Sequence, residues 1–132
     1  MGSLLVSHEP ASAAVVRQTM TRDLTRWLPE PAVDEVVLVA SELVGNAIRH
    51  APPNTDRRLQ VEWDVDDANA TVRVSDSGTG IPQVRSATLD EPSGRGLAIV
   101  DAVSAEWGFY ASGHGKFVWA RVPIERSRRA AS

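Results

Sequence analysis

The stretch from Arg58 to Asp76 constrains the fold most tightly. Residues 58–65, RLQVEWDV, alternate Leu59, Val61, Trp63 and Val65 with polar neighbours, the pattern of a strand with one buried face. Residues 70–76, ATVRVSD, carry Val72 and Val74 in the same way, and only DDAN (66–69) separates the two runs. Strands joined this closely pair as an antiparallel hairpin, whose apolar face must be covered by another layer.

Helical patterns supply the cover. Residues 10–28 place Val16, Met20, Leu24, Trp27 and Leu28 on one side, with Pro10 suited to a first turn. PEP at 29–31 interrupts them. From Ala32 to His50, the residues Val33, Val36, Val37, Ala40, Leu43, Val44, Ala47 and Ile48 recur at helical spacing. RGLAIVDAVSAE (95–106) reads as a third helix. SLLVSHE (3–9) reads as an opening strand, and WGFYASG and KFVWARVPI as a closing hairpin turned at GHG (113–115). The expected fold is therefore α+β: a two-layer sandwich, its mixed and mostly antiparallel sheet covered on one face by about three helices. One domain spans 1–132, with a core over about 5–122 and a flexible tail at 123–132.

Composition removes several classes of function. The chain has no cysteine, which excludes disulfides and thiolate metal sites. Its three histidines, His8, His50 and His114, are scattered and form no zinc motif. A net charge of −3 argues against direct nucleic-acid binding. The basic residues are arginines with one exception, Lys116, and the ERSRRAAS ending reads as a solvated terminus. No apolar run approaches the ~18 residues of a membrane span, and no signal peptide is visible, so the reading is cytoplasmic, with no membrane partner.

Three segments carry chemistry. In ELVGNAIRH (42–50), Glu42 and Asn46 lie one turn apart, and Arg49 and His50 follow on the same side. Gly45 sits among good helix formers, at a cost of roughly 1 kcal/mol relative to alanine. DSGTGIP (76–82) puts a carboxylate at a strand end beside two glycines: either a hairpin turn, or a site where backbone approaches a ligand and Asp76 accepts a hydrogen bond from an amine. GRGLAIV (94–100) is a glycine pair entering a helix: either a loop and first turn, or free amides that hold a phosphate. It is neither a Rossmann fingerprint nor a P-loop.

In this order and spacing the three segments resemble the GHKL ATPase superfamily, the Bergerat-fold proteins that include sensor histidine kinases, DNA gyrase and mismatch-repair ATPases. The resemblance spans roughly residues 5–122. The compact form looks most like the anti-sigma factor serine/threonine kinase branch, and among these the stand-alone ATP-binding regulators of actinomycetes. It implies ATP and Mg2+ as cofactors. Asn46 would hold the metal, a role suited to an amide oxygen, and Glu42 would be the catalytic base. Arg49 and His50 would reach phosphates, and Asp76 would hold the adenine amine. Gly78, Gly80 and Ile81 would pass beside the base, residues 82–93 would form a mobile lid, and Gly94, Arg95, Gly96 and Leu97 would cradle phosphates. Gly45 would let its helix approach a neighbour.

One position departs from the family pattern. Phe117 stands where a threonine is expected beside the adenine-binding aspartate, which implies a lost donor or a reshaped pocket. The implied function is a serine/threonine protein kinase that phosphorylates a small anti-sigma-factor antagonist or sequesters a sigma factor, with a homodimer open. Two alternatives stay open: a non-catalytic, ATP-gated or nucleotide-free scaffold, and a catalytic-domain-like partner in a histidine kinase system.

Overall fold

The computed structural model describes residues 2–49, 58–76, 94–112 and 115–124. The elements follow in the order β1 (Gly2–Ser7), α1 (Ala11–Leu24), α2 (Glu30–Arg49), β2 (Arg58–Val65), β3 (Asn69–Asp76), α3 (Gly94–Val103), β4 (Glu106–Ser112) and β5 (Gly115–Pro123). The strands form one sheet in the order β1-β2-β3-β5-β4. Every neighbouring pair is antiparallel, so the parallel contribution allowed by the expected mixed sheet is absent among the described residues.

Alternation along the strands separates the two faces. Val6, Leu59, Val61, Trp63, Ala70, Val72, Val74, Ala120 and Val122 are buried and meet the helices. Val16, Met20 and Leu24 of α1 and Val33, Val36, Val39, Leu43 and Val44 of α2 fill the other side of this core. Burying each such side chain contributes about 1.5–3 kcal/mol. The outer face mixes polar residues with Leu5, Phe117 and Trp119 and carries cross-strand ion pairs. Arg73 lies 3.9 Å from Glu62, its register partner, and Arg121 pairs with Glu106. The layers are also pinned by the indole of Trp63, whose Nε1 donates to Asp23 Oδ2 on α1 at 2.7 Å. Gly2 lies against the same ring; a Cβ there would come within 2.2 Å of it, so only glycine fits.

The expected first helix runs four residues too far. After Leu24 the chain tightens: Trp27 N donates to Leu24 O at 2.8 Å and Leu28 N to the same carbonyl at 2.9 Å. The tightening shifts the phase before Pro29. Leu28 stays buried, but Trp27, expected in the core, is 45% exposed with the Arg26 guanidinium over its ring. The second helix begins two residues earlier than expected. Pro31 falls in its first turn, where no amide is required, and Pro29 O accepts from both Ala32 and Val33 at 3.0 Å. Among the described residues no helix is long and apolar enough to cross a membrane.

Candidate functional site

Direction of chain decides which residues can meet. One end of the fold carries a cleft lined by Pro31, Ala32 and Glu35 at the start of α2, Val103 at the end of α3, and Pro123 at the end of β5. Pro123 pairs with Asn69, the first residue of β3. Helix α2 and strand β3 therefore set out from the same end, and they pack on each other. Asn46 lies about 21 Å along the helix from Ala32, and Asp76 about 23 Å along the strand from Asn69. Helix α3, also packed on α2, runs back from Gly94 to that cleft. Asn46, Asp76 and the first turn of α3 thus gather at the opposite end of the sandwich.

On α2 the burial pattern splits into two strips. Leu43, Val44 and Ala47 face the core, while Glu42, Gly45, Asn46 and Arg49 follow an i, i+3, i+4, i+7 strip beside it. Glu42 is half-buried and Arg49 exposed. Asn46 is 5% exposed, and its Oδ1 finds no hydrogen-bond partner among the described residues. Leaving such an acceptor unsatisfied costs about 1–3 kcal/mol, so an orphan of this kind calls for a missing partner. The orphan is a hard oxygen, the type that magnesium accepts, and Glu42 lies one turn away. Among the described residues no three His, Asp or Glu gather to hold a metal.

Gly45 is not where helices touch. Among the described residues a Cβ there would meet only Arg49 Nη1, at the ordinary distance of 3.4 Å, so none of the described neighbouring elements makes the close approach expected of it. The glycine instead keeps the middle of the Glu42–Asn46–Arg49 strip open. The Arg49 guanidinium folds back over it, in the direction helical side chains lean.

Phe117 is corrected as well. It pairs with Ser75, and Arg73 with Trp119, on the face that bears the Arg73–Glu62 pair. Phe117 therefore sits on the sheet side away from the helices, not beside the strip on α2. The register partner of Asp76 is Lys116, which the sequence reading noted as the one lysine and gave no role. Gly94, Arg95, Gly96 and Leu97 form the first turn of α3, as a phosphate cradle requires. His50, Gly78, Gly80, Ile81 and the 82–93 lid lie outside the described residues, as does the expected 123–132 tail except Pro123, which ends β5, and Ile124, which is buried in the core.

Comparison with known proteins agrees with this architecture. The family described as histidine kinase-like ATPase domain matches residues 6–122. No curated protein matches the chain. Among solved structures, the histidine kinase domain of the blue-light activated histidine kinase from Erythrobacter litoralis EL346 is similar at a TM-score of 0.59 and 19% identity, over 93% of this chain and 64% of that one. A longer chain of the same kinase gives 0.56 and 24%, over 77% and 33% of the respective chains. The Acinetobacter baumannii histidine kinase AdeS gives 0.51 and 17%, over 94% and 68%. This chain thus spans about a third to two-thirds of the Erythrobacter chains, and at these identities the likeness is one of fold.

Proposed function

The chain belongs to the family of histidine kinase-like ATPase domains, and from that premise we propose that it is an ATP-binding regulatory protein kinase of the anti-sigma type. It would transfer the γ-phosphoryl group of ATP to a serine or threonine of a small antagonist protein. The observation that carries the reading is the buried Oδ1 of Asn46, without a hydrogen-bond partner among the described residues, one turn from Glu42 at the end of the fold where β3 stops and α3 starts.

Each residue has a task in this reading. Asn46 holds the magnesium ion, which when bound neutralises phosphate charge. The first-turn amides of α3, at Gly94 to Leu97, hold phosphate oxygens, helped by the helix dipole. Asp76 accepts from the adenine amine, with Gly78, Gly80 and Ile81 passing beside the base. Arg49 and His50 add positive charge near the phosphates. Glu42 takes the proton of the attacking hydroxyl. The hydroxyl oxygen bonds to the γ-phosphorus, the bond from that phosphorus to the β,γ-bridging oxygen breaks, and ADP leaves with the electron pair. Such a transfer depends on positioning and charge more than on covalent help. The scaffold alternative drew its support from Phe117, whose place on the outer sheet face withdraws that support.

The test is to incubate the protein with γ-labelled ATP, magnesium and the proteins that co-purify with it, then to map the label. Acid-stable label on a partner serine or threonine is expected. Acid-labile label on histidine would move the chain into a histidine kinase system, and no transfer to any bound partner would leave only a binding function.

A further inference from the structure

The cleft at the end of the fold away from Asn46 has a volume of about 710 Å3, room for more than one side chain. Its floor is apolar. Ala32 and Ile124 are buried and Val103 is half-buried. Pro29, Pro31 and Pro123 add rigid rings that lose no side-chain freedom on contact. The other two lining residues are Asp34 and Glu35, both exposed.

These residues offer a ligand no backbone donor. The three prolines have no amide hydrogen. Ala32 N donates to Pro29 O at 3.0 Å, and Ile124 N to Ala68 O at 2.9 Å. Asp34, Glu35 and Val103 lie beyond the first four residues of their helices, where each amide bonds the preceding turn. The two carboxylates only accept. A phosphate or carboxylate ligand would therefore meet acceptors alone, and whatever fills the cleft has to donate.

Charge points the same way. The helix dipole accounts for Glu30 in the first turn of α2, but its effect fades within that turn and does not explain Asp34 and Glu35. On the β5 side, the bond from Ile124 to Ala68 brings up the β2–β3 turn with Asp66 and Asp67. Among the described residues no cation lines the cleft. The Arg121 guanidinium, whose charge reaches Asp66, pairs with Glu106. We propose that this cleft is a docking surface for a polypeptide segment of a partner protein, one that carries a large apolar side chain flanked by arginine or lysine. A polypeptide fits better than a small cation, because acidic residues stand on both sides of the apolar floor, on separate elements. The surface lies at the far end of α2 from Asn46, and the proposal does not rest on the kinase reading.

The test follows the fluorescence anisotropy of two labelled hexapeptides mixed with the full chain, one alternating arginine with leucine, the other arginine with serine. The wild type should bind the leucine peptide about tenfold or more tighter, because only that peptide fills the floor. Asp34→Asn combined with Glu35→Gln should weaken this binding about fivefold or more at low salt, and the difference should shrink at high salt. Glu9→Gln combined with Glu62→Gln removes the same charge outside the cleft and should change binding less than about twofold. Equal loss in the two double variants, or equal binding of the two peptides, would mean unspecific attraction to an acidic protein and overturns the proposal. Binding that appears only when Arg126, Arg128 and Arg129 are all changed to Gln gives the cleft to the chain's own last residues, and also overturns it. A dimer in light scattering that the Asp34→Asn, Glu35→Gln variant dissociates gives the cleft to a second copy, with the same consequence. Absence of peptide binding in all of these proteins overturns the proposal outright.

Discussion

Ser75 and Phe117 are register partners on the sheet face turned away from the helices. The alternate positions of β3, at Ala70, Val72 and Val74, are buried on the covered side. The sheet therefore stands between Phe117 and the nucleotide end of α2. Phe117→Thr should leave ATP affinity within about twofold of wild type, because no contact worth even ~0.5 kcal/mol is gained or lost. A tenfold change in either direction, measured by calorimetry, would place residue 117 in the pocket.

Gly45 carries the helix-interior penalty of glycine without a packing reason among the described residues, where an added Cβ meets only Arg49 Nη1 at 3.4 Å. Gly45→Ala should therefore raise stability by about 0.5–1 kcal/mol, read as a higher urea midpoint. Gly45→Leu should also fold, yet fill the strip between Glu42, Asn46 and Arg49 and weaken ATP binding at least tenfold. Loss of stability in the alanine variant would mean that the strip is packed rather than open.

Asp66 governs the β2–β3 turn. Its Oδ1 accepts from Asn69 N at 2.7 Å and Ala68 N at 2.8 Å. These backbone bonds, with a smaller contribution from the Arg121 charge, hold its carboxyl below the ordinary range. A pKa depressed on folding means that stability is present above the unfolded value, ~3.9, and is lost as pH falls through the folded one. Asp66→Ala should lower the urea midpoint at neutral pH, and its deficit against wild type should shrink as pH drops below about 4. A deficit that stays constant down to pH ~2 would show that the turn does not depend on the carboxylate's charge.

The legible parts of this fold are those with a single apolar phase. Leu59, Val61 and Trp63, or Val36, Leu43 and Val44, admit one buried side each, and the element order followed from them. KFVWARV is different. Phe117 and Trp119 compete with Val118, Ala120 and Val122, so both parities are apolar and the sequence does not say which faces the helices. Pairing with β3 decides it. The family pattern alone put Phe117 beside the pocket, and the register places it on the opposite face. Trp27 was misplaced for another reason: the tight turn before Pro29 breaks the helical phase that its spacing obeys. Within the candidate site, Glu42 and Asn46 were legible because helical spacing alone unites them. The gathering of Asn46, Asp76 and Gly94 depended on chain direction across two layers.

Glu42 should separate binding from chemistry. It is half-buried on the same strip as Asn46 and is not assigned to hold nucleotide. Glu42→Gln keeps the shape and removes the base, so ATP affinity should hold while phosphoryl transfer to the antagonist falls ~10²–10⁴-fold. Transfer at the wild-type rate would remove Glu42 from the mechanism.

The central claim is that the orphaned oxygen of Asn46 completes its bonding through magnesium-bound ATP. Calorimetric titration of ATP into the wild-type chain, with and without magnesium, against the same titration of Asn46→Ala, tests it most directly. The wild type should bind ATP in a magnesium-dependent manner. Asn46→Ala should lose affinity by about tenfold or more and lose most of the magnesium dependence, while its urea midpoint holds or rises because a buried unsatisfied acceptor is gone. Equal magnesium-ATP affinity in the two proteins would contradict the account.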